Sequence, residues 1–413
     1  MRVAHLNYSD ITGGAARAAY RIHRALCDYG IDSRMHVVRA SAGDWSVEPS
    51  PPGWMGKRDG IRARIGEAVT RLLHTENRIL HSPEVLRSRW PQRLNNSNAD
   101  VINLHWIGYE MISVADIARF QKPVVWTLHD MWAFCGAEHF TEDFRWREGY
   151  LRNNRPVHES GFDLDRWTWK RKSNHWRRPI QIVAPSHWLA DCARQSALMR
   201  EWPVSVIPYA IDTEAWHPVD KQLARKILGL PVDSPLLIFG AIGGTRDPRK
   251  GFDLLKGALD HLRGEIQGLE LVVLGQTPPM KPTDLGFPVH YAGHLHDDIS
   301  MSLFYSAADA LILPSRQDNL PNVGIEAQAC GTPVVAFNAC GLPDIVEHKE
   351  TGYLAKAFDT QDLAEGIRWV LADTGRRARL SSQSRNAAVA KFSYPVVAEQ
   401  YLRLYETVAR PHD

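Results

Sequence analysis

The sequence predicts an α/β protein made of two doubly wound domains that face each other across a cleft, and three observations carry that expectation. Short apolar runs, of the length that suits a strand buried on both faces, alternate with segments of helical period. The alternation falls into two series, separated by an irregular stretch from Asp212 to about Ser234 in which "TEAWHPVDKQ" reads as a linker. At 413 residues the chain exceeds what one ordinary core holds, so two or three domains are expected.

In the first series "RVAHLNY" reads as a strand and leads into "GGAARAAYRIHRALCDYG". There Ala16, Tyr20, His23 and Cys27 share one helical face, and Gly30 is a plausible stop. "SRMHVV" follows as a second strand; "ADVINLHW" and "PVVWTLHD" are two more, each with a histidine near its end. "IQIVAPS" precedes the helical "HWLADCARQSALMR", and "VSVIPYAID" closes the series. The second series reads "PLLIFGAIGG", "LELVVLGQ", "VHYAGHL", "DALILPS" and "PVVAF", with helices such as "GFDLLKGALDHLRG" and "TQDLAEGIRWVLAD" between and after them. Pro395 should open a fresh terminal helix with Val397, Tyr401, Leu404 and Val408 on one stripe.

Composition narrows the class. Hydrophobic content of 44% with 23% charged residues is that of a soluble globular protein, and no apolar run reaches membrane-spanning length. A net charge of +2 argues against wholesale nucleic-acid binding. Cys27, Cys135, Cys192, Cys330 and Cys340 are odd in number and scattered, which suits reduced thiols in a cytoplasmic protein. The opening "MRVAHLNYSD" lacks a signal peptide's apolar core.

Two stretches of the second half carry chemistry. "FGAIGGTRDPRKGFDLL" ends a strand in glycines and adds Arg246, Arg249 and Lys250 before a helix, which suits a diphosphate. It is neither a dinucleotide fingerprint nor a phosphate-binding P-loop. "PSRQDNLPNVGIEAQACGTPVV" sets Asp318 and Glu326 around a helix start, where carboxylates can accept a pair of sugar or ribose hydroxyls. Together they describe a nucleotide-sugar site.

In the first half "VVWTLHDMW" ends a buried strand with His129 and Asp130, the acid placed to fix the histidine's tautomer. A metal set of His129, Cys135 and His139 has no standard zinc spacing, so no metal is expected. "SDITGGAARAA" puts Gly13 and Gly14 before a helix N-terminus. Segments 60–73, with Ile61, Ile65, Ala68 and Leu72 on one stripe, and 165–178, rich in tryptophan and cations, read either as packed helices with solvated cationic faces or as a peripheral membrane contact.

These marks, with "GLPDIV" and "TGYL", make the chain resemble the family 4 glycosyltransferases of the GT-B fold, in the branch that assembles bacterial exopolysaccharide, capsule or O-antigen. The resemblance spans nearly the whole chain. It implies an N-terminal acceptor-side Rossmann-like domain over 1–212, a donor-side domain over 213–391, and a terminal helix over 392–413 that crosses back onto the first. It implies a retaining transfer of a hexose from a UDP- or GDP-sugar to a growing, lipid-linked glycan, without metal or cofactor. Lys250, with Arg249 nearby, would meet the diphosphate; Asp318 would hold sugar hydroxyls and Glu326 the ribose diol. The backbone of Leu320, Pro321, Asn322 and Val323 would meet sugar and phosphates, His129 the hexose, and the Gly14 loop the diphosphate across the cleft. The leaving phosphate would take the acceptor's proton. Two departures stand out. The first acid is Asp318 where the family has glutamate, and Gly244 stands where relatives carry an arginine that Arg246 or Arg249 would replace. A catalytically inactive nucleotide-binding scaffold, a GT-B phosphorylase and a sugar-nucleotide epimerase use the same parts.

Overall fold

The computed structural model describes residues 1–50, 56–240, 247–295 and 297–410. The chain divides into two compact units: Met1–Tyr209 together with the helix end from Val397 on, and Ala210–Val396.

The first unit contains β1 (Arg2–Ser9), β2 (Asp32–Arg39), β3 (Val47–Pro49), β4 (Leu73–His74), β5 (Val101–Leu104), β6 (Val124–Thr127), β7 (Ser160–Gly161), β8 (Gln181–Ala184) and β9 (Val204–Val206). Seven of them form one parallel sheet in the order β3-β2-β1-β5-β6-β8-β9, while β4 and β7 pair separately and antiparallel. The inner strands are buried along their length, which is why they read as continuous apolar runs. Most of the tryptophans belong to this unit, and Trp90, Trp126, Trp132, Trp146, Trp176 and Trp202 are packed into its core. The short strands β3, β4 and β7 were not expected from the sequence; two or three residues leave no readable period.

The second unit contains β10 (Leu236–Gly240), β11 (Glu270–Leu274), β12 (Val289–Gly293), β13 (Ala310–Leu313), β14 (Val334–Phe337) and β15 (Gly352–Ala355). They form one parallel sheet in the order β12-β11-β10-β13-β14-β15. In each sheet the chain first builds to one side, then returns beside its first strand: β5 next to β1, and β13 next to β10. Such a reversal opens a crevice at the carboxyl ends of the two central strands, where ligands of open α/β sheets bind.

The stretch read as a linker is folded. Lys221–Leu228 is a helix; the Asp220 side chain caps it by accepting the Leu223 N–H at 2.8 Å, and Gly229 ends it in the left-handed region. Buried Arg225 donates to the carbonyls of Ala307, Val232 and Ser234 and to Asp309, tying this helix into the second unit. The division falls at Ala210 rather than 213.

A helix over Thr374–Phe392 breaks at Ser393, and Tyr394–Ala409 follows. The change of unit comes at Val397 rather than 392, because Ile211 still pairs with Phe392 and Ser393 in the second unit. Beyond it Asn103 donates to the Tyr405 hydroxyl at 2.7 Å, and the Tyr401 hydroxyl lies 3.1 Å from Thr127 Oγ1. The buried face is Val397, Ala398, Tyr401 and Tyr405, displaced by one residue from the expected Leu404. Among the described residues no helix is long and apolar enough to cross a membrane.

Candidate active site

At the reversal of the second sheet, Gly243, Gly244 and Arg246 lie outside the described residues. The chain re-enters at Asp247, whose side chain accepts the Arg249 N–H at 3.0 Å and starts a single turn, Pro248–Lys250. Gly251 follows at φ 66°, and a Cβ there would stand 1.9 Å from the Pro314 carbonyl oxygen. Only glycine permits that approach. It brings the turn against the loop after β13, where the Arg316 N–H donates to the Arg249 carbonyl at 2.7 Å. Lys250 Nζ then bonds Asp318 Oδ2 at 2.6 Å, the two side chains 24% and 15% exposed. The two segments singled out from the sequence therefore meet as an accessible ion pair. The Arg249 guanidinium is held on Asp247 at 2.7 Å, so its charge is already matched within its own turn.

The helix Asn322–Ala329 begins at Pro321 without a side-chain cap. Pro321 has no N–H, so of the four residues named for this loop only Leu320, Asn322 and Val323 can donate from the backbone. Glu326, one turn on, is buried and accepts the Tyr305 hydroxyl at 3.2 Å.

At the reversal of the first sheet a cavity of about 500 Å³ opens beyond β1. Gly13, at φ 95°, precedes the helix Gly14–Asp28, and both glycines line the cavity with Tyr8, Arg39, Glu67, Trp106 and Tyr109. The Tyr8, Trp106 and Tyr109 rings meet edge to face, with centroids 4.9–6.0 Å apart. This aromatic box was missed in the sequence because its members come from two strand ends; "LHW" was read only for its histidine.

His129 is buried, and both ring nitrogens are engaged. Nδ1 lies 2.9 Å from the Tyr209 hydroxyl and Nε2 lies 3.1 Å from His105 Nδ1. His105 Nε2 in turn lies 2.8 Å from His5 Nδ1, so three adjacent strands contribute to one imidazole chain. Burial pushes His129 down to about 4, against the pull of Asp130, and holds the ring neutral. The sequence places Asp130 to fix that ring's tautomer; Tyr209 and His105 hold the ring nitrogens instead. Asp130 accepts from His139 Nδ1 at 2.6 Å, Trp106 Nε1 at 2.9 Å and the Trp132 N–H at 2.9 Å. His139 is completed by Ser82, so His129, Cys135 and His139 do not form a ligand set.

The 165–178 segment is packed on one side and leaves Lys170, Arg177 and Arg178 exposed on the other. Its helix, Leu164–His175, buries Lys172, which donates to the carbonyls of Trp132, Cys135 and Gly136. Arg171 donates to those of Pro83 and Glu84, and Trp176 is buried. In 60–73, by contrast, Ile61, Ile65, Ala68 and Leu72 are all exposed.

Two doubly wound units, one with an ion pair at its reversal and the other with a glycine-started helix over an aromatic cavity, define a GT-B class protein. Family comparison agrees: the family described as "Glycosyltransferase Family 4" matches residues 12–215, and "Glycosyl transferases group 1" matches 220–387. The two matches fall one on each unit and together support a GT-B glycosyltransferase. The chain is 34% identical over 248 residues to a D-inositol 3-phosphate glycosyltransferase of Xylanimonas cellulosilytica, covering 54% of this chain and 58% of that protein. It thus spans little more than half the length of the curated relatives it matches. Among solved structures it is similar to sucrose-phosphate synthase from Thermosynechococcus elongatus, with TM-score 0.69, 19% identity and 99% of each chain covered. It is also similar to Anabaena HepE in complex with UDP-glucose, with TM-score 0.67, 18% identity, and 98% of this chain and 100% of that one covered. At such identities the likeness is one of fold.

Proposed function

We propose that the protein is a retaining hexosyltransferase that takes a sugar from a nucleotide diphosphate sugar and places it on a carbohydrate acceptor. The observation that carries this reading is the Lys250–Asp318 pair at the strand reversal of the second sheet. An incoming diphosphate competes for Lys250, and as the cation turns to phosphate the Asp318 carboxylate is released to accept sugar hydroxyls. Lys250 and the backbone N–H groups of Leu320, Asn322 and Val323 then stabilise the charge that develops on the departing diphosphate. Its oxygen takes the acceptor's proton. Glu326 is assigned to the ribose, and Gly14 and His129 to the donor, on the family resemblance.

The aromatic cavity of the first unit suits a sugar ring, whose C–H face packs on Trp106 or Tyr109. The acceptor proposed from the resemblance is a lipid-linked surface glycan, reached from the cytoplasmic side. The exposed stripe of 60–73, flanked by exposed Arg64 and Arg71, is the segment that would rest on anionic lipid. A phosphorylated polyol is a second acceptor reading, favoured by Arg39 in the cavity wall and by the inositol-phosphate relatives.

Lys250→Ala tests the donor assignment. It should lower kcat/KM by roughly 10²-fold or more and weaken bare UDP or GDP in calorimetry. A folded variant with an unchanged rate rejects the assignment.

A further inference from the structure

We propose that His81, Glu138 and Asp165, outside the transferase machinery, form a buried site for one zinc ion. Their ligating atoms lie within 4.8 Å of one another, and all three residues are buried.

The hydrogen-bond pattern points to a cation. His81 Nδ1 sits 2.7 Å from the Ile79 carbonyl, which can only accept, so Nδ1 carries the proton and Nε2 presents a lone pair. That Nε2 faces Asp165 Oδ1 at 3.8 Å and has no hydrogen-bond partner. Glu138 Oε2 is likewise buried and unpartnered. The Tyr150 hydroxyl reaches Glu138 Oε1, the Ala137 N–H reaches Asp165 Oδ1 and the Arg145 guanidinium stands 3.7 Å from Asp165 Oδ2, but no donor among the described residues serves Glu138 Oε2 or His81 Nε2. An imidazole lone pair and two carboxylates converging without a donor repel one another in a dry interior. One divalent ion removes that conflict and supplies the positive charge that Arg145, on the far oxygen of Asp165, does not bring to Glu138.

The chemistry selects the metal. One imidazole and two carboxylates suit zinc, whose tetrahedral ligands at about 2.0–2.1 Å stand roughly 3.3 Å apart, so a small contraction completes the site. The Nδ1–H bond to a backbone carbonyl is the outer contact that orients a ligating histidine. The chain is also shaped to permit the approach. A Cβ on Gly136 would lie 2.5 Å from Asp165 Cβ and 2.6 Å from Glu138 Oε2, and His81 and Glu138 pair as an isolated antiparallel bridge. Zinc here would pin together the segment before Ser82, the loop after β6 and the start of the helix Leu164–His175. That loop also carries His139, the partner of Asp130.

The test is metal analysis of the whole protein, expressed with zinc in the medium. About one equivalent of zinc per chain is expected; a strong chelator should remove it and lower Tm by several degrees, and added zinc should restore both. Glu138→Gln and His81→Gln should lose the zinc. Should these variants not fold, cobalt(II) in the wild-type protein should give the intense visible bands of a four-coordinate ion. A protein that holds no zinc and ignores chelator overturns the proposal, leaving a proton shared by Glu138 and Asp165 as the remedy. Zinc retained equally by Glu138→Gln, or cobalt with only the weak bands of the hydrated ion, overturns it as well.

Discussion

At the reversal of the second sheet a lysine and an aspartate stand partly in solvent as a bonded pair, whereas in the first sheet three histidines from adjacent strands lie buried. The topology of the two sheets is alike; the treatment of charge is opposite. Lys250 stands where an anionic ligand can claim it. In the chain His5–His105–His129 the central imidazole must donate once and accept once, so a second proton on His105 would set two N–H groups face to face. One region is built to exchange a partner, and the other to hold a neutral scaffold beneath a cavity.

Acid should break this comparison with the largest effect. Burial pushes His129 down to about 4 against Asp130, with His105 and Tyr209 on its nitrogens. Burial also pushes His23 down to about 4, with Asp44 opposing and Arg24, Arg34 and His36 adding to it, and with Ser33 and Ser46 on its nitrogens. A histidine with a lowered folded pKa contributes fully above its unfolded value of about 6.5 and loses that contribution as pH falls towards 4, because the unfolded chain takes the proton first. The two together amount to about 7 kcal/mol at most. Twelve of the 14 tryptophans, all but Trp216 and Trp369, lie in Met1–Tyr209. Urea unfolding followed by tryptophan fluorescence should therefore show the midpoint falling between about pH 6.5 and about pH 4.5. An unchanged midpoint would show that these rings are protonated in the fold.

The second break is geometric. Gly251→Ala puts a Cβ against the Pro314 carbonyl and a side chain at positive φ. The expected loss is about 3 kcal/mol of stability, together with nucleotide binding, since the Lys250 turn must leave the β13 loop. Thermal unfolding and UDP calorimetry check it; wild-type affinity would mean that the close approach does not position Lys250.

How much of this was legible depends on where each reason lies. Parallel strands announced themselves because burial on both faces demands apolar runs, but β15 starts at Gly352 and half-exposes Tyr353 and Leu354, so its run is weak. Lys250 and Asp318 were readable because loop chemistry beside a strand end is local. Gly251 was seen only as a helix start, since its reason is a carbonyl on another loop. The helix Lys221–Leu228 had its signals in Asp220 and Gly229, but it buries Ala224 and Arg225 and exposes Leu223 and Ile227, the reverse of the pattern by which a packed helix is read. Of the 165–178 cations, Lys170, Arg177 and Arg178 are exposed as a solvated face requires, but a sequence does not distinguish them from Lys172 caged by three carbonyls. His81, Glu138 and Asp165 are too far apart in the chain to suggest a cluster.

On the first unit, Trp106→Ala removes one wall of the aromatic box and one of the three donors to Asp130. If that cavity takes the acceptor, the variant should raise acceptor KM about 10-fold and leave UDP affinity unchanged. Equal damage to donor and acceptor would move the cavity's role to the donor side.

The smallest effect is expected from Asp318→Glu, which restores the acid that the family pattern carries. The added methylene keeps the charge and can keep the pair with Lys250, because both side chains are partly exposed and Lys250 sits on a flexible stem. Nucleotide alone should bind within about 3-fold of wild type, since Asp318 is assigned to the sugar and not to the diphosphate. The ratio of kcat/KM between two donor hexoses should shift, by up to about 10-fold, because the carboxylate now reaches different hydroxyls. Asp318→Ala is the companion: it should also spare bare nucleotide while lowering kcat with the complete donor. Kinetics with paired donors and calorimetry with UDP separate the outcomes. A donor ratio that stays fixed in Asp318→Glu, alongside a large loss of bare UDP affinity, would assign the aspartate to positioning Lys250 and remove it from the sugar.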